Sequence, residues 1–430
     1  MILTAALFAG ILPINAQNKK TPFSTTPYAK EIQTLSQNKL VKNAFAIIDN
    51  LEPQTRKDHI ELTEIPAPPF KEEVRARRFK ELMEAAGANQ VWFDSLGNVL
   101  SLRKGTKGGR TVVIDAHLDT VFPEGTDVKV KIKGDTLFAP GIADDTRGLV
   151  AMLTILRALE KANIKTIDDV LFVATLGEEG LGDVRGAKYV VEKSNIKIDA
   201  WIAIDGTDIF EIVNGGLGSV RYKVTYKGPG GHSWSAFGLG NPHHAMAKGI
   251  NYFSDAASVF TSTGIKTSFN IGRTGGGTSV NSIPFESWAE VDMRSESPQQ
   301  LKKIDSILKA SLNKGLNEYN SLIKKGPRLT LSIEQIGFRP SGTTNEETPL
   351  VQRSWAAAKY FGVTPALSTQ STNANVPISK GIPAVTIGSG GKSANEHSLG
   401  EWWINEKGAE GIKFGLLVLL SEAGVGNYKL

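Results

Sequence analysis

The sequence contains no cysteine, which excludes disulfide bonds and thiolate metal ligands. It also has no block of like charges, because 49 basic and 44 acidic side chains are interspersed along 430 residues, and we expect no nucleic-acid partner. Beyond its start it lacks an apolar run long enough to span a bilayer, so we expect no membrane insertion. Because cysteine is absent, any metal site must use histidine and carboxylate ligands.

The first residues differ from the rest in polarity. Met1–Ala16 is uncharged and mostly apolar, and the polar residues 17–20 follow it, which resembles a secretory signal cleaved after Ala16. The usual basic start is missing, and Ile14 is not the small residue expected two places before the cleavage point. The sequence still favours a signal peptide over residues 1–16 and a periplasmic or secreted protein.

The length of the chain exceeds the size at which one hydrophobic core usually stops growing, which indicates two structural units. Residues 43–217 alternate short apolar runs with helical periodicity, which predicts an α/β unit with a mixed, mostly parallel sheet flanked by helices. Residues 218–338 follow the order strand, helix, two strands, helix, strand of a ferredoxin-like α+β domain. The first pattern returns in 339–430, so we predict one catalytic domain interrupted by an inserted domain.

Polar side chains lie just past the predicted buried strands or beside the crossover helix Thr146–Lys161. They are His117 and Asp119, Asp144 and Asp145, Glu178 and Glu179, Asp205, and, in a later loop, His397. Each has an ordinary explanation when taken alone: a hydrogen-bonded histidine, a helix N-cap, a solvated loop or a turn. The carboxyl ends of parallel strands meet at one edge of a sheet, so the whole set predicts a single polar site.

Five separated motifs in this order resemble the metallopeptidase family that includes glutamate carboxypeptidase, peptidase T, aminoacylase and acetylornithine deacetylase. They are His117-Leu118-Asp119, Gly141 to Asp145, Gly177-Glu178-Glu179, Asp205, and Glu396-His397-Ser398. The resemblance implies two divalent metal ions, zinc first, with cobalt or manganese as alternatives.

The same resemblance implies a role for each residue of the metal site. Asp144 bridges the two ions. His117 and Asp205 complete one ligand set, and Glu179 and His397 complete the other. Glu178 is then the general base, and Asp119 orients His117. The resemblance also implies a cis peptide bond between Asp144 and Asp145.

The inserted domain corresponds by this resemblance to a lid and dimerisation domain. His232 is expected to reach the substrate carbonyl, commonly in the partner subunit of a homodimer, and Asn281 and Arg294 to contact substrate. The sequence departs from the family at Trp234, where a small residue is common, and at Asn373, where an aspartate is frequent. We expect the second change to remove a negative charge from the cleft.

Three functions follow from these residues. The leading prediction is a zinc-dependent exopeptidase of the aminotripeptidase or carboxypeptidase type, acting on small peptides. An alternative is a deacylase or amidohydrolase that uses the same site on an N-acyl amino acid, since both reactions cleave an amide. A non-catalytic binding protein on this fold is the third, and the intact set of proposed ligands and base argues against it.

Overall fold

The computed structural model describes residues 27–209 and 211–426, so the predicted signal segment 1–16 lies outside the described residues. The helices in this part are Pro27–Gln37 (α1), Lys39–Asn50 (α2), Glu52–Thr63 (α3), Glu73–Ala85 (α4), Thr146–Lys161 (α5), Arg185–Lys193 (α6), Pro242–Thr261 (α7), Pro298–Leu322 (α8), Pro349–Tyr360 (α9), Asn375–Ser379 (α10) and Gly408–Ala423 (α11), with a 3₁₀ turn at Gly180–Gly182. The strands are Trp92–Phe93 (β1), Val99–Arg103 (β2), Thr111–His117 (β3), Lys131–Lys133 (β4), Thr136–Phe138 (β5), Asp169–Thr175 (β6), Ala200–Ile204 (β7), Glu211–Gly216 (β8), Gly218–Lys227 (β9), Gly231–His232 (β10), Thr267–Gly276 (β11), Ser282–Ile283 (β12), Glu286–Ser295 (β13), Thr330–Arg339 (β14), Gly342–Thr343 (β15), Ala366–Gln370 (β16), Ala384–Ile387 (β17), Lys392–Ala394 (β18) and Trp402–Ile404 (β19).

A nine-stranded mixed sheet forms the centre of the catalytic unit. Its order is β1-β2-β6-β3-β7-β17-β8-β15, with β16 paired to β8, and the four central strands β6, β3, β7 and β17 run parallel. The apolar runs that predicted β3, β6 and β7 are buried on both sides, as strands of a parallel sheet covered by helices must be. The predicted α/β class with a mixed sheet is confirmed.

Alternate residues of the central strands enter two separate cores. Val112 and Ile114 of β3 pack in the core that includes α5 and α11, whereas Val113 packs in the core that includes α6. This alternation follows from the two-residue period of a strand. Because both faces are covered, only the ends of the central strands remain for polar function.

The inserted lid unit is a four-stranded antiparallel sheet of order β11-β13-β9-β14, with α7 and α8 packed on one face. In chain order these elements run strand, helix, two strands, helix, strand, so the predicted ferredoxin-like arrangement is confirmed. A separate two-stranded antiparallel sheet, the lid ribbon, pairs β10 with β12 through Gly231 with Ile283 and His232 with Ser282.

A second four-stranded sheet, of order β18-β19-β5-β4, was not predicted from the sequence. Its strands have three residues each, too few to show a two-residue period. The sheet pairs Phe138 with Trp402, and it therefore joins the segment before Asp144 to the segment around His397.

Among the described residues the first helix, α1, begins at Pro27, before the residue 43 from which we predicted the catalytic unit. Helix α1 packs against α9 and α11, so the amino-terminal helices cover the same core as the closing helix. Among the described helices, none is both long enough and apolar enough to cross a bilayer.

Candidate active site

The ends of three parallel strands place the first group of predicted site residues at one edge of the central sheet. His117 is the last residue of β3 and lies in register with Thr175, the last residue of β6. Asp205 directly follows β7, and its backbone N–H donates to the carbonyl of Ile387, the last residue of β17. This shared edge is where open α/β sheets bind ligands.

The two adjacent acids Asp144 and Asp145 have separate roles. Asp145 is the N-cap of α5: its Oδ1 accepts from the N–H of Gly148 at 3.1 Å, and its Oδ2 accepts from the N–H of His117 at 3.0 Å. Asp144 faces the cleft instead. The peptide bond between them is cis, as predicted. The helix-cap interpretation is therefore right for Asp145 and leaves Asp144 available as a ligand.

Asp144 lies between the two histidines of the cluster. Its Oδ1 is 2.9 Å from Nε2 of His117, and its Oδ2 is 2.9 Å from Nε2 of His397, which is also 3.0 Å from Oε1 of Glu179. Three groups of ligand atoms lie within 4.8 Å of one another: His117, Asp144 and Asp205 form one, Asp144, Glu179 and His397 form another, and His117, Glu178 and Glu179 form the third. The structure thus brings together the two ligand sets that the resemblance implied.

The electrostatics of this cluster match cation binding. Burial, reinforced by the charge of Asp144, raises the pKa of Asp205 to about 7. Burial likewise raises the pKa of Glu178 to about 8. Hydrogen bonds to Asp144 and Glu179 raise the pKa of His397 to about 11. A partly buried cluster with this many carboxylates is stabilised by divalent cations, and its nitrogen and oxygen ligands suit zinc, cobalt or manganese.

Asp119 supports both the histidine ligand and the two glutamates. Its main-chain oxygen is 3.0 Å from Nδ1 of His117, and its carboxylate Oδ1 is 3.5 Å from the same nitrogen. The carboxylate also accepts from the N–H groups of Glu178 at 2.9 Å and Glu179 at 2.8 Å. This fully buried side chain therefore contacts His117, which it was predicted to orient, and in addition holds the backbone of Glu178 and Glu179.

Glu401 is a functional residue that sequence reasoning missed. Its buried carboxylate accepts from the N–H groups of Gly141 at 2.8 Å, Ala143 at 2.8 Å and Asp144 at 3.2 Å. Burial raises its pKa to about 7 despite these hydrogen bonds. The signal in the sequence was a single acid immediately before the apolar run of β19. Its partners lie more than 250 residues earlier, so no local pattern links them.

The cleft beside the metal cluster has a volume of about 380 Å³. Its wall includes Glu178 and three arginines, Arg221, Arg294 and Arg339. The predicted substrate residue Arg294 therefore lines the cleft, where its Nε donates to Asp292 at 2.8 Å. The other two arginines were not singled out from the sequence, because an arginine on a strand more often forms a surface ion pair.

The remaining lid residues lie elsewhere. His232 and Asn281 are not in the wall of this cleft as the structure describes it. His232 lies in β10 of the lid ribbon, and Asn281 immediately precedes β12. Nδ1 of His232 accepts from the N–H of Trp234 at 3.2 Å, and the carbonyl of Asn281 accepts from the N–H of Ser233 at 2.9 Å. The structure thus places His232 and Asn281 at the lid ribbon, outside the described wall of the metal cleft.

The expectation for Asn373 was wrong. This side chain is buried below the cleft and donates from Nδ2 to Oδ2 of Asp115 and to the hydroxyl of Thr175, both at 2.7 Å. An acid at Asn373 would face the buried carboxylate of Asp115. The amide therefore removes a repulsion inside the sheet and changes no charge in the cleft.

Comparison with known proteins agrees with this geometry. The model of peptidase family M20/M25/M40 matches residues 113–420, which is well over half of the chain. The chain belongs to this peptidase family. Members of the M20 group use divalent metal ions, and the chain is accordingly an M20 family hydrolase with a candidate metal site of histidines and carboxylates.

Individual M20 relatives extend over most of the chain. The Bacillus subtilis protein YqjE is 28% identical over 313 residues, which cover 68% of this chain and 76% of that protein. A succinyl-diaminopimelate desuccinylase of Methylobacillus flagellatus is 26% identical over 328 residues, covering 72% of this chain and 82% of the enzyme. The crystal structure of a Staphylococcus aureus tripeptidase matches with a TM-score of 0.68 at 22% identity, over 86% of this chain and 98% of that one. This structural likeness shows that the fold is shared.

Proposed function

We propose that this M20 hydrolase is a two-metal, zinc-type exopeptidase that acts on small peptides as an aminotripeptidase or carboxypeptidase. The observation that carries the proposal is the position of Asp144, whose two carboxylate oxygens lie next to His117 and His397 respectively. A carboxylate shared in this way can hold two divalent ions near one scissile bond. Glu178 lies in the same cleft and belongs to neither proposed ligand set, although its carboxylate also lies within 4.8 Å of ligand atoms of His117 and Glu179.

The residues of the chain divide the reaction between them. Two divalent ions bound by these sets supply Lewis acidity toward the scissile carbonyl and lower the pKa of the attacking water. Glu178 takes the proton from that water and delivers it to the leaving amine, so the carboxyl group acts first as base and then as acid. Asp119 and Glu401 keep the ligand loops in place through the backbone hydrogen bonds described above.

A cationic part of the cleft supports a substrate with a free carboxylate. Arg221 and Arg294 both bind Asp292, each at 2.8 Å, so two guanidinium groups face one carboxylate and positive charge remains. The Arg294 side chain is 40% exposed and is therefore accessible to a ligand in the cleft. A guanidinium recognises a carboxylate through paired hydrogen bonds.

A second candidate is an N-acyl-amino-acid deacylase. The likeness to a desuccinylase over most of the chain favours it, and an N-acyl amino acid also carries the carboxylate that the arginines would bind. Protein loaded with zinc, cobalt or manganese should be assayed on di- and tripeptides, on their carboxyl-terminal amides, and on N-acetyl and N-succinyl amino acids. We expect the highest kcat/KM on short peptides. A preference for N-acyl amino acids would select the second candidate, and no hydrolysis of any of these amides would contradict both.

We further propose a homodimer formed through the lid domain, with His232 of one chain acting at the metal cleft of the other. The support is the exposure of His232 and Asn281 at the lid ribbon together with the large exposed apolar side chains beside it, Trp234, Phe237 and Val280. Large exposed apolar patches commonly mark interaction surfaces. His232 would then donate a hydrogen bond to the oxyanion that forms on the scissile carbonyl.

Export is proposed on sequence grounds alone. The apolar segment Met1–Ala16 supports a periplasmic or secreted enzyme. Amino-terminal sequencing of the protein recovered from the periplasm or medium tests this proposal, and a mature chain that begins near Gln17 is the expected result.

A further inference from the structure

Arg339 joins the lid to the proposed base. It is the last residue of β14, the strand from which the chain leaves the lid sheet, and its side chain is buried in the cleft wall. Its Nη1 donates to Oε1 of Glu178 at 2.7 Å and to the hydroxyl of Ser371 at 2.9 Å, and its Nη2 donates to the main-chain oxygen of Glu178. One guanidinium group therefore contacts both the carboxylate and the backbone of the same glutamate.

This double contact restricts the conformation of Glu178. A free glutamate side chain samples several rotamers, and only some of them direct the carboxylate toward a substrate. The guanidinium is planar and rigid, so bonds to the carboxylate and to the carbonyl of one residue fix the distance between these two groups. Lysine can supply the positive charge at this position, but its compact ammonium group does not reproduce the paired hydrogen bonds that the planar guanidinium makes to the carboxylate and the carbonyl.

The segment that follows Glu178 is bound to the same lid strands. Nη1 of Arg221, in β9, donates to the carbonyl of Gly180 at 2.8 Å. The N–H of Phe338, in β14, donates to the carboxylate of Asp183 at 2.9 Å. Lys188 donates to the carbonyl of Phe338 at 2.7 Å and to Asp183 at 2.6 Å. The lid strands thus contact this segment at several points besides Arg339.

The backbone of this segment has an unfavourable conformation that these contacts maintain. Asp183 and Val184 have φ values of +58° and +50°, in the left-handed region that residues other than glycine rarely occupy, and valine least of all. Such conformations persist where surrounding contacts enforce them, and they concentrate at functional sites. The position of Glu178 therefore depends on lid strands β9 and β14 remaining in contact with residues 178–183.

We propose that Arg339 is a positioning residue that aligns the Glu178 carboxylate and makes this alignment dependent on the docking of the lid strands. This inference rests on the proposed function, in which Glu178 moves the proton. It differs from the substrate-binding role proposed for the other cleft arginines, because both Nη atoms of Arg339 are already bonded to Glu178.

The test compares Arg339→Ala and Arg339→Lys with the wild type in metal content, thermal unfolding and steady-state kinetics. We expect metal content to be unchanged, kcat to fall about 10- to 100-fold in the alanine variant, and KM to change little. Added guanidinium chloride, at a concentration that leaves the wild type folded, should partly restore kcat of Arg339→Ala. If the alanine variant does not fold, Arg339→Lys is measured instead, and a lower kcat at unchanged KM is again expected.

Two further variants complete the design. Arg103→Ala removes another buried arginine, one that is paired with Glu160 away from the cleft, and should leave kcat near the wild-type value. In a Glu178→Gln background the Arg339→Ala change should have almost no further effect on kcat, because the two residues act through one group.

Three results would overturn the inference. An increase in KM at normal kcat would make Arg339 a substrate-binding residue. Independent effects of Arg339→Ala and Glu178→Gln on kcat would show that Arg339 does not act through Glu178. Wild-type kinetics of Arg339→Ala would show that Arg339 has no role in the reaction. These results differ from failure of the proposed function itself. In that case Glu178→Gln alone would remain active, whatever Arg339 does.

Discussion

The metal cleft and the lid ribbon both contain residues predicted to act on the substrate, but only in the cleft does the described chain bring these residues into contact with one another. The ligands at the cleft lie at the ends of strands in a sheet covered on both faces, and they contact one another. His232 and Asn281 lie at the lid ribbon, and both side chains are exposed. A rigid sheet edge can position a catalytic group, whereas exposed side chains at the lid ribbon gain such a function only when a second surface covers them.

The largest expected effect concerns the cleft. Glu178→Gln should retain the fold and the metal content but lose kcat by about 10²- to 10⁴-fold, because the amide cannot accept the proton from water. The measurement is kcat on the best peptide, with metal content determined on the same sample. Glu124→Gln, at an exposed ion pair with Lys71, is the matched control. Near-normal activity of the Glu178 variant would remove this residue from the base role.

The next effect tests whether His232 of the lid ribbon acts at the metal cleft of another chain. His232→Ala should lower kcat about 100-fold if it removes an oxyanion donor. Mixing it with Asp144→Ala, which is inactive for a different reason, should restore one working site in each exchanged heterodimer. His244→Ala, also on the lid, is the control and should retain near-normal kcat by itself.

Two observations would contradict the proposal that His232 acts across a dimer. One is a fully active monomer at assay concentration, which would place His232 in its own subunit or outside the mechanism. The other is subunit exchange, followed by mass, without any recovery of activity.

Arg294 belongs to both regions, because it lies in the lid sheet and its side chain lines the cleft. Arg294→Ala should raise KM about 10- to 100-fold for substrates with a free carboxylate, since a hydrogen bond between charged groups is lost. Carboxyl-terminal amides should be affected much less. Arg273→Ala, at an exposed lid arginine paired with Glu290, serves as the control. Equal effects on acids and amides would exclude carboxylate recognition by Arg294.

The smallest effect concerns the support beneath the cleft. His59 is buried against the carbonyl of Ile142, close to Asp144, and burial followed by the charge of Arg147 lowers its pKa to about 3. The unfolded chain, with a histidine pKa near 6.5, therefore takes up the proton first. The stability contributed by neutral His59 is complete above about pH 6.5 and decreases as the pH falls toward 3.

We expect the wild type to lose about 2 kcal/mol more unfolding free energy than His59→Gln between pH 7 and pH 5. Urea unfolding at the two pH values measures the unfolding free energy of each protein. Only its change between pH 7 and pH 5 is compared, so any stability that His59→Gln has already lost at pH 7 does not affect the result. Parallel pH profiles for the two proteins would show that His59 is protonated without cost in the folded state.

The strand-end residues could be predicted because their signal is local. Buried strands such as β3 appear in the sequence as apolar runs, and polar residues such as His117 and Asp205 stand directly after them. Helix α5 was recognisable from its apolar spacing, and it has the predicted bounds Thr146–Lys161.

The contacts between distant segments could not be predicted in this way. The small sheet that joins the Asp144 segment to His397 consists of strands too short to show a period. Glu401 and Arg339 are single charged residues, and their partners are 257 and 161 residues away in the chain. Their roles depend on tertiary packing, which residue spacing does not encode.

Metal dependence tests the central claim most directly. The protein should be demetallated with a chelator, dialysed and titrated with zinc while bound metal and peptide hydrolysis are measured on the same samples. We predict an inactive metal-free protein, recovery of activity as two ions bind each chain, and weaker binding by Asp144→Ala because both ligand sets lose their shared carboxylate. Full activity in the exhaustively demetallated protein would contradict the account.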